Sequence, residues 1–127
     1  MSKIPDPHLR AYVVWFPVLR SGGWEAAAKD QGERVPDSRA RRYYDADAGV
    51  GKLYGSLLHL PRGLPAWDVY MVFGSQARWE AQPPAPVYWM HQLGLAAPSE
   101  LRLDGNRLAR VVTGLLNSPG RAGPALR

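Results

Sequence analysis

The stretch Leu60–Gly74, LPRGLPAWDVYMVFG, constrains the fold more than any other part of the chain. Its second half, Trp67–Phe73, is rich in β-branched and aromatic residues and is apolar on both faces except at Asp68. A strand of this kind predicts burial on both sides, as in the middle of a sheet covered by helices. Pro61, Gly63 and Pro65 precede it, so the loop must turn sharply into the sheet. Asp68 is the one charge in the strand. It predicts an ion pair at the strand's entrance, with an Arg as partner, or loss of its charge if it is buried.

The rest of the chain supplies the elements such a strand needs. Residues 1–8 read as a loose arm, and Ala11–Phe16 as a first strand ended by Pro17, which has no N–H to donate. Arg20-Ser21-Gly22-Gly23 is a turn, followed by a short helix over Trp24–Asp30 with Glu25 in its first turn. A second strand is expected at Arg39–Tyr44, and Asp45 or Asp47 can cap the helix after it. In that helix Val50, Leu53, Tyr54, Leu57 and Leu58 form an apolar stripe of helical period. Gly51 and Gly55 lie four apart and would let the helix approach a sheet closely, at about 1 kcal/mol each in propensity.

Beyond the central strand, Gly74-Ser75 signals a hairpin that would return over Gln76–Trp79. Pro83-Pro84-Ala85-Pro86 favours an extended conformation. Val87–Leu93 fits either a short helix or an extended segment. The last helix is the best defined. Asp104 is its cap, Leu103 and Leu108 are spaced as a hydrophobic staple, and Leu108, Val111, Val112, Leu115 and Leu116 make its stripe. From Ser118 onward the chain reads as a disordered basic tail, which leaves residues 9–117 as one domain.

Composition narrows the function. There is no Cys among the 127 residues, which removes thiolate catalysis, disulfide exchange and Cys-ligated metal together. No signal peptide or membrane-spanning run is present, so the expected location is cytoplasmic. The net charge of +5 comes mainly from Arg, scattered along the chain apart from Arg39, Arg41 and Arg42. Scatter of this kind argues against nucleic acid as the partner. The three histidines, His8, His59 and His91, lack zinc-motif spacing, so neither a metal nor a cofactor is expected.

The order strand, helix, strand, helix, then strand, strand, helix resembles the thioredoxin-like family. Tyr44-Asp45, a helix ending in Tyr54-Gly55, and Gly63-Leu64-Pro65-Ala66 leading into a buried strand are similar to that family's pattern. The chain as a whole also looks like small bacterial redoxin-like proteins. The resemblance covers Ala11–Leu116 and implies an α/β three-layer sandwich. Its central mixed sheet would have about four strands with helices on both faces. It also implies a cis Leu64–Pro65 bond beside the turn that carries Cys-x-x-Cys in thioredoxins. Here that turn reads Ser21-Gly22-Gly23-Trp24, so the resemblance implies a redox-inactive member.

Two surfaces are candidates for function. One is a ligand-binding groove formed by Ser21, Gly22, Gly23, Trp24, Pro65, Trp67 and Asp68, where free N–H groups could meet an anion; a plain glycine-rich turn is the simpler account. The other is the aromatic, proline-rich stretch with Trp79, Tyr88, Trp89 and His91. It either forms an interface in a homodimer or fills the domain's own core. The expected function is a protein-binding or self-association module. The rival is a small enzyme or ligand binder using the groove, with Asp68 or His91 moving a proton.

Overall fold

The computed structural model describes residues 4–16 and 37–117. These group into two units, Met1–Gly51 and Lys52–Arg127. The helix expected at Trp24–Asp30, the turn Ser21–Trp24 and the tail from Ser118 lie outside the described residues. Among the described residues the architecture is mixed α/β, with two two-stranded sheets and two α-helices.

In the first unit, β1 (Ala11–Trp15) pairs in parallel with β2 (Ala40–Tyr44), Ala11 opposite Ala40 and Trp15 opposite Tyr44. Backbone bonds from Ala11 N–H to Arg39 and from Asp45 N–H to Trp15 extend the ladder at both ends. Residues Ile4–Asp6, read from sequence as part of a loose arm, are tied down here. The Arg39 guanidinium donates to the carbonyls of Ile4 and Asp6 while gripping both carboxylate oxygens of Asp37. After β2 the chain turns through Ala48, at a φ of 55°, into α1 (Gly49–Leu57). Asp45 caps that helix as expected, its carboxylate accepting the Val50 N–H at 2.9 Å.

The second unit takes over along α1. The apolar stripe expected on this helix is rotated in the structure. Leu53 is 47% exposed, and the buried face is Gly51, Tyr54 and Gly55. The glycines explain the rotation, since without side chains they let neighbouring groups come in on their side. In the first unit a Cβ on Gly51 would lie 2.7 Å from the Phe16 ring, and one on Gly55 would collide with the Leu64 carbonyl. The helix does not stop at Gly55. It runs to Leu57 and ends with His59 at a φ of 58°, where His59 N–H bonds to Ser56 and Leu60 N–H to Gly55. That pair of bonds is a Schellman ending, with His59 where glycine is usual.

The entry to the central strand differs from expectation in its means. No peptide bond among the described residues is cis, so Leu64–Pro65 is trans. The turning is spread over three ordinary steps. Leu64 N–H closes a turn on Pro61 with Gly63 at a φ of 82°, Trp67 N–H bonds to the Pro65 carbonyl, and Asp68 adopts a φ of 49°. With these in place no cis bond is needed.

β3 (Val69–Val72) is shorter than the run Trp67–Phe73 and is half-buried, with Tyr70 exposed. Its antiparallel partner is not Gln76–Trp79 but β4 (Tyr88–His91), with Val69 opposite His91 and Val72 opposite Tyr88. Gly74–Ala77 closes on itself as a turn, and Arg78 bonds back to the carbonyls of Ser75 and Ala77, so that segment offers no ladder. Val87–Leu93 thus resolves to an extended segment. On its other side β4 receives the Leu103 N–H at His91, next to a single bridge between His91 and Arg102. Two 3-10 turns, Gly94–Ala96 and Ser99–Leu101, carry the chain round to that contact. Asp104 then caps α2 (Gly105–Asn117) as expected, accepting the N–H groups of Asn106 and Arg107. The stripe residues of α2 are half-buried.

Gly55→Ala tests the close approach. Helix propensity alone would favour the variant by about 1 kcal/mol. Collision with the Leu64 backbone reverses the sign, and a net loss of about 1–3 kcal/mol is expected in denaturant unfolding. Ser56→Ala, on the exposed side of the same turn, should be close to neutral.

Candidate functional site

Two places in the described residues gather chemistry-bearing side chains, one in each unit. In the second unit the organising residue is Tyr54. Its hydroxyl donates to the Pro84 carbonyl at 3.0 Å, and its ring meets Phe73 and Trp79 edge-on at 6.2 and 6.1 Å. Burial pushes the Tyr54 hydroxyl above the ordinary tyrosine pKa, so it stays a donor at neutral pH. The proline-rich segment is therefore packed on its own unit through Pro84, and Tyr88 and Trp89 are half-buried in β4. Trp79 differs. Its ring packs in a T-shape with Tyr54, yet the residue remains 51% exposed.

His91 is fully buried. Its Nε2 lies 2.6 Å from the Pro98 carbonyl, and its Nδ1 accepts the Leu93 N–H at 3.1 Å. An N–H donor facing Nδ1 requires that nitrogen to be unprotonated, so the proton sits on Nε2 and donates to Pro98. Both nitrogens are used within the fold. Beside it Met90, also fully buried, accepts the Asp104 N–H on its sulfur at 3.5 Å.

Of the expected groove, Ser21, Gly22, Gly23 and Trp24 lie outside the described residues. Pro65 and Trp67 are half-buried beside the turn already described. Asp68 is exposed, and the ion pair expected for it is not among the described residues. Its backbone does the structural work instead, the Asp68 carbonyl accepting the Gln92 N–H, while the Gln92 side chain accepts the Tyr70 hydroxyl. Both burial and the nearby Asp68 charge raise the Tyr70 pKa. No group of three His, Asp or Glu among the described residues is placed to hold a metal ion, and no described helix is long and apolar enough to cross a membrane.

The first unit holds a place that the sequence reading missed. A shallow concavity of about 520 Å³ is lined by Pro5, Pro7, Arg10, Ser38, Arg39 and Arg41. Arg39 is committed to Asp37, 2.7 Å away, with both side chains mostly buried. Beside the concavity Tyr12 and Tyr43 stack across the two strands, ring centroids 6.4 Å apart. The available signal was the alternation of Arg10, Tyr12 on one strand and Arg41, Tyr43 on the next, which pairing in register brings to one face.

No protein-family model matches the chain, and neither does any curated protein or solved structure.

The Arg39 clamp sets a pH dependence. The hydrogen bonds from Arg39, side chain first and backbone second, hold the Asp37 carboxyl down at about 2. An unfolded Asp titrates at about 3.9. A carboxyl depressed on folding contributes its stability above the unfolded value and loses it as pH falls through the folded one. Exchange of the Arg39 amide, which donates to the Asp37 carboxylate, should therefore be flat from pH 7 to 5 after correction for intrinsic rates, and accelerate as pH approaches 2. Asp37→Asn should remove that acid limb.

Proposed function

We propose that the chain is a redox-inactive, thioredoxin-like binding module that associates with itself through the face around Trp79. The observation that carries this reading is Trp79 itself, a large ring packed in a T-shape with Tyr54 and still half exposed. Fixing the ring beforehand lowers the entropy lost when a second surface closes on it, and aromatic anchors of this kind dominate interface energetics. His91 takes no part in that face, because it is buried and both its nitrogens are used inside the fold.

Support for the thioredoxin-like part is of a coarser kind. The parallel β1–β2 pair, joined through residues 16–39, followed by α1, an antiparallel pair and a final helix, follows the element order of that plan. The trans Leu64–Pro65 bond takes away the most specific local motif of the resemblance. Redox inactivity rests on the sequence, since without a thiol no disulfide can be attacked.

Light scattering coupled to gel filtration tests the association. At tens of micromolar the protein should elute as a dimer, and Trp79→Ala should shift it to monomer while leaving the circular dichroism spectrum unchanged. A protein that is monomeric throughout, or a dimer indifferent to Trp79→Ala, overturns the reading.

A further inference from the structure

We propose that the outward face of the β1–β2 sheet binds single-stranded nucleic acid, with phosphate held by Arg10 and Arg41 and bases stacked on Tyr12 and Tyr43. Alternation along paired strands puts Arg10, Tyr12 and Val14 on the same side as Arg41 and Tyr43. Tyr12 is 65% exposed and Tyr43 47%, although both are large rings in the middle of strands. A sheet normally turns such residues inward, and here two of them stack on each other at 27° between planes.

Charge complementarity selects the partner. The whole chain carries +5, and three guanidinium groups line the adjoining concavity. Arg39 is neutralised by Asp37. Two further carboxylates of the unit are turned to local tasks, Asp6 toward His8 and Asp45 toward Val50 N–H. Among the described residues Arg10 donates to the backbone carbonyls of Pro7 and Leu9 and pairs with no carboxylate. Arg41 is exposed and has no carboxylate partner among the described residues. Ser38 adds a hydroxyl to the same lining. A polyanion carrying flat rings at regular intervals meets both features together, because exposed aromatics take unpaired bases and arginines track the phosphates. A duplex has its ring faces already stacked and satisfies only half of the site.

Fluorescence anisotropy with labelled oligo-dT and oligo-U of twenty nucleotides tests this at 50 and 200 mM salt. Micromolar binding is expected, stronger at low salt. Stacking on aromatic side chains contributes about 1–3 kcal/mol per base, so Tyr12→Ala with Tyr43→Ala should weaken binding at least tenfold. Tyr12→Phe with Tyr43→Phe should leave it within about threefold, and an unchanged circular dichroism spectrum of the alanine variant shows that its loss is not misfolding. Arg10→Ala with Arg41→Ala should weaken binding and lower the salt slope by about 1.4, the value for two phosphate contacts on a single strand. Equal affinity for duplex of the same length, indifference to the tyrosine substitutions, or binding that heparin and inorganic polyphosphate match residue for residue would overturn the proposal in favour of unspecific attraction to anions. No binding at 50 mM salt overturns it as well. Because these residues belong to the first unit and Trp79 to the second, the oligomeric state of the same variants separates this outcome from that of the self-association reading.

Discussion

The second unit depends on the way α1 is allowed to lie against its loops. Tyr54 is a bulky group with a polar end, and it is buried between two glycines placed three positions before and one after it. The Leu64 backbone closes on Gly55, and the buried Tyr54 hydroxyl needs an acceptor once water is excluded. Pro84 provides it, with a carbonyl that no helix or ladder claims in a proline-rich segment. One side chain thereby fixes the helix, the end of β3 at Phe73 and the long connection between β3 and β4. The same closeness makes Gly55 intolerant of even a methyl group, since what it meets is backbone rather than a side chain that can swing away.

A second dependence runs through β4. Met90 and His91 are the largest fully buried side chains among the described residues, and each ties a different element to the strand. Met90 reaches the start of α2 through the Asp104 N–H, and His91 holds both the Leu93 backbone and the 3-10 region through Pro98. Satisfying a buried imidazole on both sides matters more than the modest net worth of each bond, because an orphaned nitrogen there would cost about 1–3 kcal/mol. Asp104 adds a helix cap whose carboxyl is held below its ordinary pKa, chiefly by the Arg107 N–H.

Local signals were legible in the sequence where one residue decides one local event. Asp104 and Asp45 cap the helices that follow them, the stripe of α2 is half-buried, and both early strands lie within a residue of the expected bounds at each end. What failed to read out depends on competition between segments. Gly74-Ser75 is a good turn signal, yet a turn fixes only its own residues, and the partner for β3 was settled by Tyr88–His91, which buries two side chains completely. Leu64-Pro65 was expected to bend the chain by cis geometry, and three softer turns share that bend instead. Asp68 was expected to form an ion pair at the strand's entrance because it is the one charge among apolar neighbours. Asp68 has a left-handed φ at the strand's mouth and is exposed, while its carbonyl still accepts the Gln92 N–H.

The arginines show why a surface is harder to read than a core. Along the chain Arg10 stands alone, and Arg39 and Arg41 sit in a small cluster that gives no hint of a tyrosine partner on another strand. Parallel pairing in register carries Arg10 next to that cluster and Tyr12 onto Tyr43, so the assembly of the face depends on which strands pair. Periodicity reports which residues of one strand share a face, but not which other strand extends it. Once the pairing is known, the arginines separate by partner. Arg39 is consumed by the clamp that ties Ile4 and Asp6 to Asp37, and that clamp shapes the concavity in which Arg10 and Arg41 keep their charge.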